Sequence, residues 1–279
     1  MKTDNFFVIH NYNTIPLNLV EYCRDYIIYD ASDQPGVREQ LKKAGLKYIP
    51  VKNTGHNITS YFSYFDTEYE HLPEVICLCK GNMIGRHCSK EYFDKVYNNT
   101  YFTYLYEDKP KWPGLTKAVQ EGIKEEELAF LVSESQYVEK NTSWYVGSPN
   151  HPHWYFDNFD DLLTFIYKDP VIPKWCLFSP GACYIVRREQ VQKHSPVFYR
   201  NLCKIMNYDL DPNFPSEAHQ IERMLPLIFE ASYEENEWMD NEELFEEKLA
   251  ERKEFLKKKE EWNKKRLKRI RKLFGQKGY

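Results

Sequence analysis

The stretch Glu74-Val75-Ile76-Cys77-Leu78-Cys79-Lys80-Gly81-Asn82 decides how the chain is read. An unbroken apolar run from Val75 to Cys79 lies between Pro73-Glu74 and Lys80-Gly81. A run of this length, bounded by a proline and a glycine, predicts a strand buried on both faces, as in parallel sheets. In such sheets ligands bind beyond the carboxyl ends of the strands. Lys80 and Asn82 therefore stand where a site is expected.

Toward the N-terminus, Phe6 to Asn13 begins as a strand and ends in polar residues. Tyr26 to Asp30 and Lys47 to Val51 read as two more strands. Helices are predicted over Pro16 to Cys23, over Val37 to Ala44 with Gly45 as the C-cap, and from Ile58 to His71. This alternation predicts an α/β fold: a Rossmann-like, doubly wound and mostly parallel sheet flanked by helices. Toward the C-terminus, Cys88 to Asn98 reads as a helix and Tyr101 to Tyr106 as a strand. Residues 107–155, rich in Pro and Gly, predict loops that wrap a site, with a helix at 115–131. A helix over Asn158 to Tyr167 has Asn158 as its N-cap. Strands over Trp175 to Phe178 and Ala182 to Val186 flank Ser179-Pro180-Gly181. Helices follow at Arg188 to Lys193, Val197 to Met206 and, strongly amphipathic, Ser216 to Glu230. From Tyr233 onward Glu and Lys dominate and one long polar helix is expected. The predicted domains are 1–230 and a charged helical extension at 231–279.

The aromatic content, 22 Tyr, 17 Phe and 6 Trp in 279 residues, favours a packed body over disorder. No apolar run has the length of a spanning helix, and the first residues lack a signal-peptide core. Cys77 and Cys79 alternate with Ile76 and Leu78, which predicts reduced core thiols and a cytoplasmic protein. The sequons at Asn57, Asn98 and Asn141 are then expected to be unused. The net charge of −4 conceals an asymmetry: residues 251–279 hold thirteen Lys/Arg against four Glu, leaving −13 on the first 250 residues. A basic tail on an acidic body points to an anionic partner. Contact of 252–274 with a membrane surface is one reading, because Trp262, Ile270, Leu273 and Phe274 lie among Lys and Arg. A solvated helix is another, and pairing of Glu-rich 234–247 with the basic part of a second subunit, a homodimer, is a third. Nucleic acid is not expected, because the body is acidic and has no reader motif.

The predicted sheet brings four strand ends together: His10-Asn11, Asp30 to Asp33, Asn53 to His56, and Lys80 to Asn82. On these residues the chain resembles the GT-A fold glycosyltransferases, in which an acidic turn after the second strand holds the nucleoside of a sugar nucleotide. Tyr29-Asp30-Ala31-Ser32-Asp33 looks like that turn. A more specific resemblance is to a glycosyltransferase-like family mostly catalogued as a domain of unknown function. Its order of motifs is followed by Asn53-Thr54-Gly55-His56-Asn57, Tyr61 to Tyr69, Leu72-Pro73 to Lys80, Ser179 to Tyr184, Phe198-Tyr199 and Glu222-Arg223, over roughly residues 5–230.

The resemblance implies transfer of a sugar from a nucleotide donor, a UDP-sugar, to a glycan or lipid-linked glycan acceptor. Asp30 and Asp33 would hold the nucleoside; His10, Asn11, Asn53 and Asn82 join them at the strand ends. Gly55, His56 and Lys80 would hold the diphosphate, with Arg86 and His87 in support. Metal-dependent members carry Asp-x-Asp where this chain has Lys80-Gly81-Asn82. A lysine cannot replace a metal-binding carboxylate, so a fixed positive charge is expected to do the cation's work and no cofactor is expected to be essential. Asp30, Asp33 or Asp157 stand as alternative ligands for manganese or magnesium. An inverting transfer needs a base, and Glu222 and Glu217 are the candidates with Asp157 in reserve. Helix positions five apart differ by about 140°, so the two glutamates are not expected to share a site, and Glu222 fits the family position better. Gly181 and Tyr184 are expected on the acceptor side. A zinc site at His151 and His153 lacks a cysteine partner. The alternatives are a non-catalytic carbohydrate-binding or assembly protein on the same fold, and a nucleotidyl transferase, which the absence of a Gly-rich phosphate loop disfavours.

Overall fold

The computed structural model describes residues 2–107, 122, 137–142, 153–208 and 216–273. Of the predicted helix at 115–131 only Gly122 is among these residues, and His151 lies outside them. A six-stranded sheet is built from β1 (Phe6–Asn11), β2 (Tyr26–Asp30), β3 (Ile49–Pro50), β4 (Val75–Lys80), β5 (Thr103–Tyr104) and β8 (Tyr184–Arg187). Its order is β3-β2-β1-β4-β8-β5. The first four strands are parallel; β8 runs antiparallel to both β4 and β5. The chain is thus α/β, with a mostly parallel sheet flanked by helices. Trp175–Phe178 does not join this sheet: it forms, as β7, a separate antiparallel pair with β6 (Tyr137–Lys140), a strand inside the stretch expected to be loop.

The organising strand behaves as its composition requires. Val75, Cys77 and Cys79 point to one face and pack with Phe7, Ile9, Ile28, Leu41 and Phe93. Ile76 and Leu78 point to the other and pack with Val8, Phe62, Phe65 and Phe229. Each fully buried Ile, Leu or Phe contributes about 1.5–3 kcal/mol, so alternate residues of one strand anchor two cores. Helix termini follow local rules: Asn158 caps Phe159–Ile166 by accepting from the Asp161 N–H at 2.8 Å, and Ser195 caps Pro196–Met206 in the same way.

The last helix spans Glu242–Leu273 without a break. Phe245 and Leu249 belong to the same apolar cluster as the body, and Leu256 is also buried. Lys253 lies 3.4 Å over the Trp154 ring and Arg252 pairs with Asp161 at 3.1 Å. Residues 257–270 are exposed on every side. Among the described residues no helix is long and apolar enough to cross a membrane.

Candidate functional site

The strand order reverses between β1 and β4: the chain leaves β1 toward β2 and returns on the other side as β4. Such a switch point opens a crevice at the carboxyl ends of the strands. The register places His10 of β1 opposite Lys80 of β4 at that end. Two cavities open there. One, of about 310 Å³, is lined by His10, Tyr12, Asn53, Gly81 and Asn82. The other, of about 320 Å³, is lined by Tyr106, Tyr137, Phe178, Gly181, Glu222 and Arg223. His56, Asn57, Lys80 and Arg86 line both, so two cationic side chains stand at the joint.

The joint is held by an unusual helix start. Helix His56–Thr67 begins with two residues in the left-handed region, Gly55 at φ 60° and His56 at φ 55°. A Cβ on Gly55 would lie 2.1 Å from Thr59 Oγ1 and 2.8 Å from Met206 Cβ, so space as well as conformation demands glycine. His56 has no such excuse, and left-handed backbone costs a non-glycine residue about 1–2 kcal/mol. Strain of this kind collects at ligand sites. Asn57 then ties the helix to the β7–β8 turn: its amide donates to the Gly181 carbonyl at 2.8 Å and to Tyr61 Oη at 3.0 Å. Gly181 has φ 88°, and a Cβ there would lie 2.5 Å from His87 Nε2.

Charge in the site is shaped by burial. The His10 imidazole, 3% exposed, meets Ser60 Oγ through Nδ1 at 2.9 Å. Burial first, then the nearby Lys80 and His56 charges, pushes it down to about 3, so it is neutral at physiological pH. Burial also draws Lys80 below the ordinary lysine value, although the Glu222 carboxylate pulls the other way. Glu222 accepts from the Gly181 N–H at 2.7 Å and lies 3.3 Å from Arg223 Nη1. Burial raises the Glu222 carboxyl, against the opposing pull of Arg223, the Gly181 N–H and Lys80. Arg223 is held by Glu139 of β6 at 2.6 and 3.0 Å and sits 4.7 Å over the Phe178 ring.

Of the residues singled out from sequence, His10, Asn53, His56, Lys80, Asn82, Gly181 and Glu222 line the cavities. Gly55 lies behind the joint, shaping it through its backbone. Asn11 and Asp30 do not reach it. Asp30 is fully buried and accepts from Asn11 Nδ2 (2.8 Å), Ser32 Oγ (2.6 Å) and Arg38 Nε (2.9 Å), so its oxygens tie β1 to β2. Asp33 is at the surface, accepting from Tyr12 Oη and Asn13 Nδ2, both at 2.8 Å. Tyr184 is fully buried, its Oη accepting from the Ser179 N–H at 2.7 Å, which removes it from the acceptor side.

Glu217 is also removed: it is fully buried and accepts from the N–H groups of Trp154, Tyr155 and Phe156 and from Tyr208 Oη. Asp157 pairs with Lys259 at 2.6 Å, away from both cavities. Burial pushes its carboxyl up, but the bonds from Lys259 and Asn158 outweigh that and hold it low, the wrong direction for a base.

Sequence reasoning missed Glu139 and His219, which line the second cavity, Asn57, which lines both, and the aromatic wall of Tyr106, Tyr137 and Phe178. Asn57 carried a signal, its place in the first turn after Gly55. Among the described residues no group of three or more His, Cys, Asp or Glu side chains converges as a metal site. His153 instead bonds the Phe156 carbonyl through Nδ1 at 2.6 Å. Comparison of the chain with protein-family models, with curated proteins and with solved structures finds no match.

Proposed function

We propose that the chain is a glycosyltransferase of GT-A-like fold, moving a sugar from a nucleotide donor, a UDP-sugar, to a glycan acceptor. The observation that carries this reading is the joint: Lys80 and Arg86 stand where two cavities of about equal size meet, beside the first turn of helix His56–Thr67. A nucleotide sugar has that form, a nucleoside and a sugar joined by a diphosphate. The polar cavity, with His10, Tyr12, Asn53 and Asn82, would take the nucleoside. The diphosphate would lie against Lys80, Arg86 and the helix N-terminus. The sugar would enter the aromatic cavity, where Glu222 faces the acceptor.

In the transfer, the acceptor hydroxyl attacks the anomeric carbon and gives its proton to Glu222. The bond from that carbon to the diphosphate oxygen breaks, and its electron pair leaves with the diphosphate. Lys80 and Arg86 meet the charge that forms there, the work a manganese or magnesium ion does in metal-dependent members. Glu222, drawn up by burial, is a better base than an ordinary carboxylate.

Thermal-shift titration with UDP and UDP-sugars, with and without manganese, tests the reading. A nucleotide at 100 times its dissociation constant stabilises the fold by about 2.7 kcal/mol. Lys80→Met is expected to weaken UDP binding about 10- to 100-fold, the effect of one lost charge-assisted contact. No shift with any nucleotide sinks the proposal, and a shift only with manganese removes the lysine's role.

A second reading, a carbohydrate-binding protein without activity, is favoured by the Tyr106, Tyr137 and Phe178 lining and by the bonds already made to both Glu222 oxygens. Slow release of free UDP from a donor separates the two, since only a transferase releases it.

A further inference from the structure

Helix Glu242–Leu273 distributes its charge unevenly on the side turned away from the body. Phe245, Leu249 and Leu256 are buried and fall within about 40° of one another around the helix, which fixes its inner side. On the far side, an arc of about 140° changes sign along its length. Up to Phe255 it holds Glu243, Glu247, Glu251 and Glu254 and no Lys or Arg. From Lys258 on it holds Lys258, Lys265, Lys268 and Arg269 against Glu261 alone. All nine charged side chains are exposed. Two of the glutamates are engaged along the helix, Glu251 with Lys248 at 3.0 Å and Glu254 with Lys258 at 3.6 Å. Glu243, Glu247, Lys265, Lys268 and Arg269 are in no ion pair among the described residues. Phe255 and Trp262 stand along one edge of the same arc, 51% and 59% exposed.

We infer that this outer face docks the same face of a second copy of the chain, the two helices running antiparallel. Charge complementarity selects the occupant. The acidic half repels an anionic surface laid along the helix, and the basic half repels a cationic one. A partner must carry both signs in reverse order, which a second copy turned end to end does. A parallel copy would set glutamate on glutamate and base on base. With the two-fold axis level with Leu256, helix geometry brings Glu243, Glu247 and Glu254 opposite Lys268, Lys265 and Lys258 of the second copy. Symmetry repeats these three pairs, and Glu261 falls opposite the small Ala250. Phe255 and Trp262 lie along the other edge, so the same axis gathers the rings of both copies there. The overlap from Glu243 to Arg269 is about 39 Å long. The face lies opposite the buried side of the helix, so neither body stands between the two helices. Exposed ion pairs contribute little one by one, so the association depends on the whole set and on the rings.

The test is analytical ultracentrifugation of the full chain, up to about 100 µM, at low and high salt. A dimer is expected whose dissociation constant rises about tenfold or more between about 0.05 M and about 0.5 M salt. Trp262→Ala is expected to weaken it several-fold. Two charge-reversal variants sharpen the test. Glu243→Lys with Glu247→Lys makes the paired edge basic throughout, and Lys265→Glu with Lys268→Glu makes it acidic throughout. Each should be monomeric alone, with the parent's circular dichroism, because the changed side chains are exposed. An equimolar mixture of the two should form a heterodimer. A parent that stays monomeric at low salt, a dimer that ignores salt, a reversed variant that still self-associates, or a mixture that forms no heterodimer each overturns the inference.

Discussion

Glu217 and Glu222 lie five residues apart on helix Ser216–Glu230, and their carboxylates face different work. Glu217 gathers three backbone N–H groups and a tyrosine hydroxyl and so fixes the Trp154–Phe156 segment and Tyr208 around the helix start. Glu222 keeps 17% of its side chain exposed, lines a cavity and leans on Arg223 and the Gly181 N–H. About 140° of helix rotation separates a carboxylate that holds the protein together from one that lines a cavity. Burial alone does not decide what a carboxylate can meet; an open side does.

The comparison can be broken by mutation. The largest effect is expected at Glu222. With donor and acceptor present, Glu222→Gln should lower kcat about 10²- to 10⁴-fold, the usual contribution of a general base, while circular dichroism shows the fold kept. Unchanged turnover in this variant would end its role as base. Next comes Glu217→Ala, which strands four buried donors and should cost about 3–5 kcal/mol in a urea titration. Glu217→Gln, which keeps an acceptor for the three N–H groups, should recover much of that loss. If Glu217→Ala instead lost activity at full stability, the two residues would have to exchange roles.

Two groups of opposite habit set the pH dependence. His10 holds its proton far less readily in the fold than in the open chain. Between its ordinary value of 6.5 and about 3 the unfolded chain binds the extra proton, so stability falls as pH drops through that window. The loss is on the order of a few kcal/mol and levels off below about 3. Glu222 works the other way: its raised carboxyl keeps a proton that the unfolded chain has released. Its favourable contribution, full at low pH, is lost as pH rises from the ordinary glutamate value through the raised one. Melting curves against pH should therefore lose their acid limb in His10→Gln and their upper limb in Glu222→Gln. A profile unchanged by either substitution contradicts this account. The smallest effect is expected at Asp157. Its pair with Lys259 is partly exposed, so Asp157→Asn should cost less than about 1 kcal/mol and leave turnover alone. A hundredfold loss of turnover would return Asp157 to the chemistry.

Much of this was legible in the chain. Val75 to Lys80 announced a two-faced buried strand, and Lys80 lies at its open end. Helix periodicity alone separated Glu222 from Glu217. Asn158 was recognisable as a cap because that role is settled within four residues. What could not be read depends on partners far away in the chain. Arg223 is held by Glu139, 84 residues earlier, and Asn57 reaches Gly181 across 124 residues. Asp30 looks the same in sequence whether its oxygens face a ligand or, as here, Asn11, Ser32 and Arg38. Tyr184 carries no mark that its hydroxyl turns back to the Ser179 N–H. Nor does alternation of apolar residues say which way a strand runs, and β8 runs opposite to its neighbour β4.

The split of the interior by the central sheet gives the molecule a built-in pair of reporters. Cys23, Cys77, Cys79, Cys88 and Cys183 all lie in the core on one face. Cys176 and Cys203 belong to the other. All seven sulfurs are free thiols; six are buried, and an alkylating reagent reaches those only when their own side opens, whereas Cys203 is half-buried. Mass spectrometry of a timed labelling reaction would therefore follow the two layers separately in unmodified protein. Labelling of the six buried thiols at one rate would mean that the sheet opens as a single unit. A lag between the group of five and Cys176 would identify the layer that loosens first.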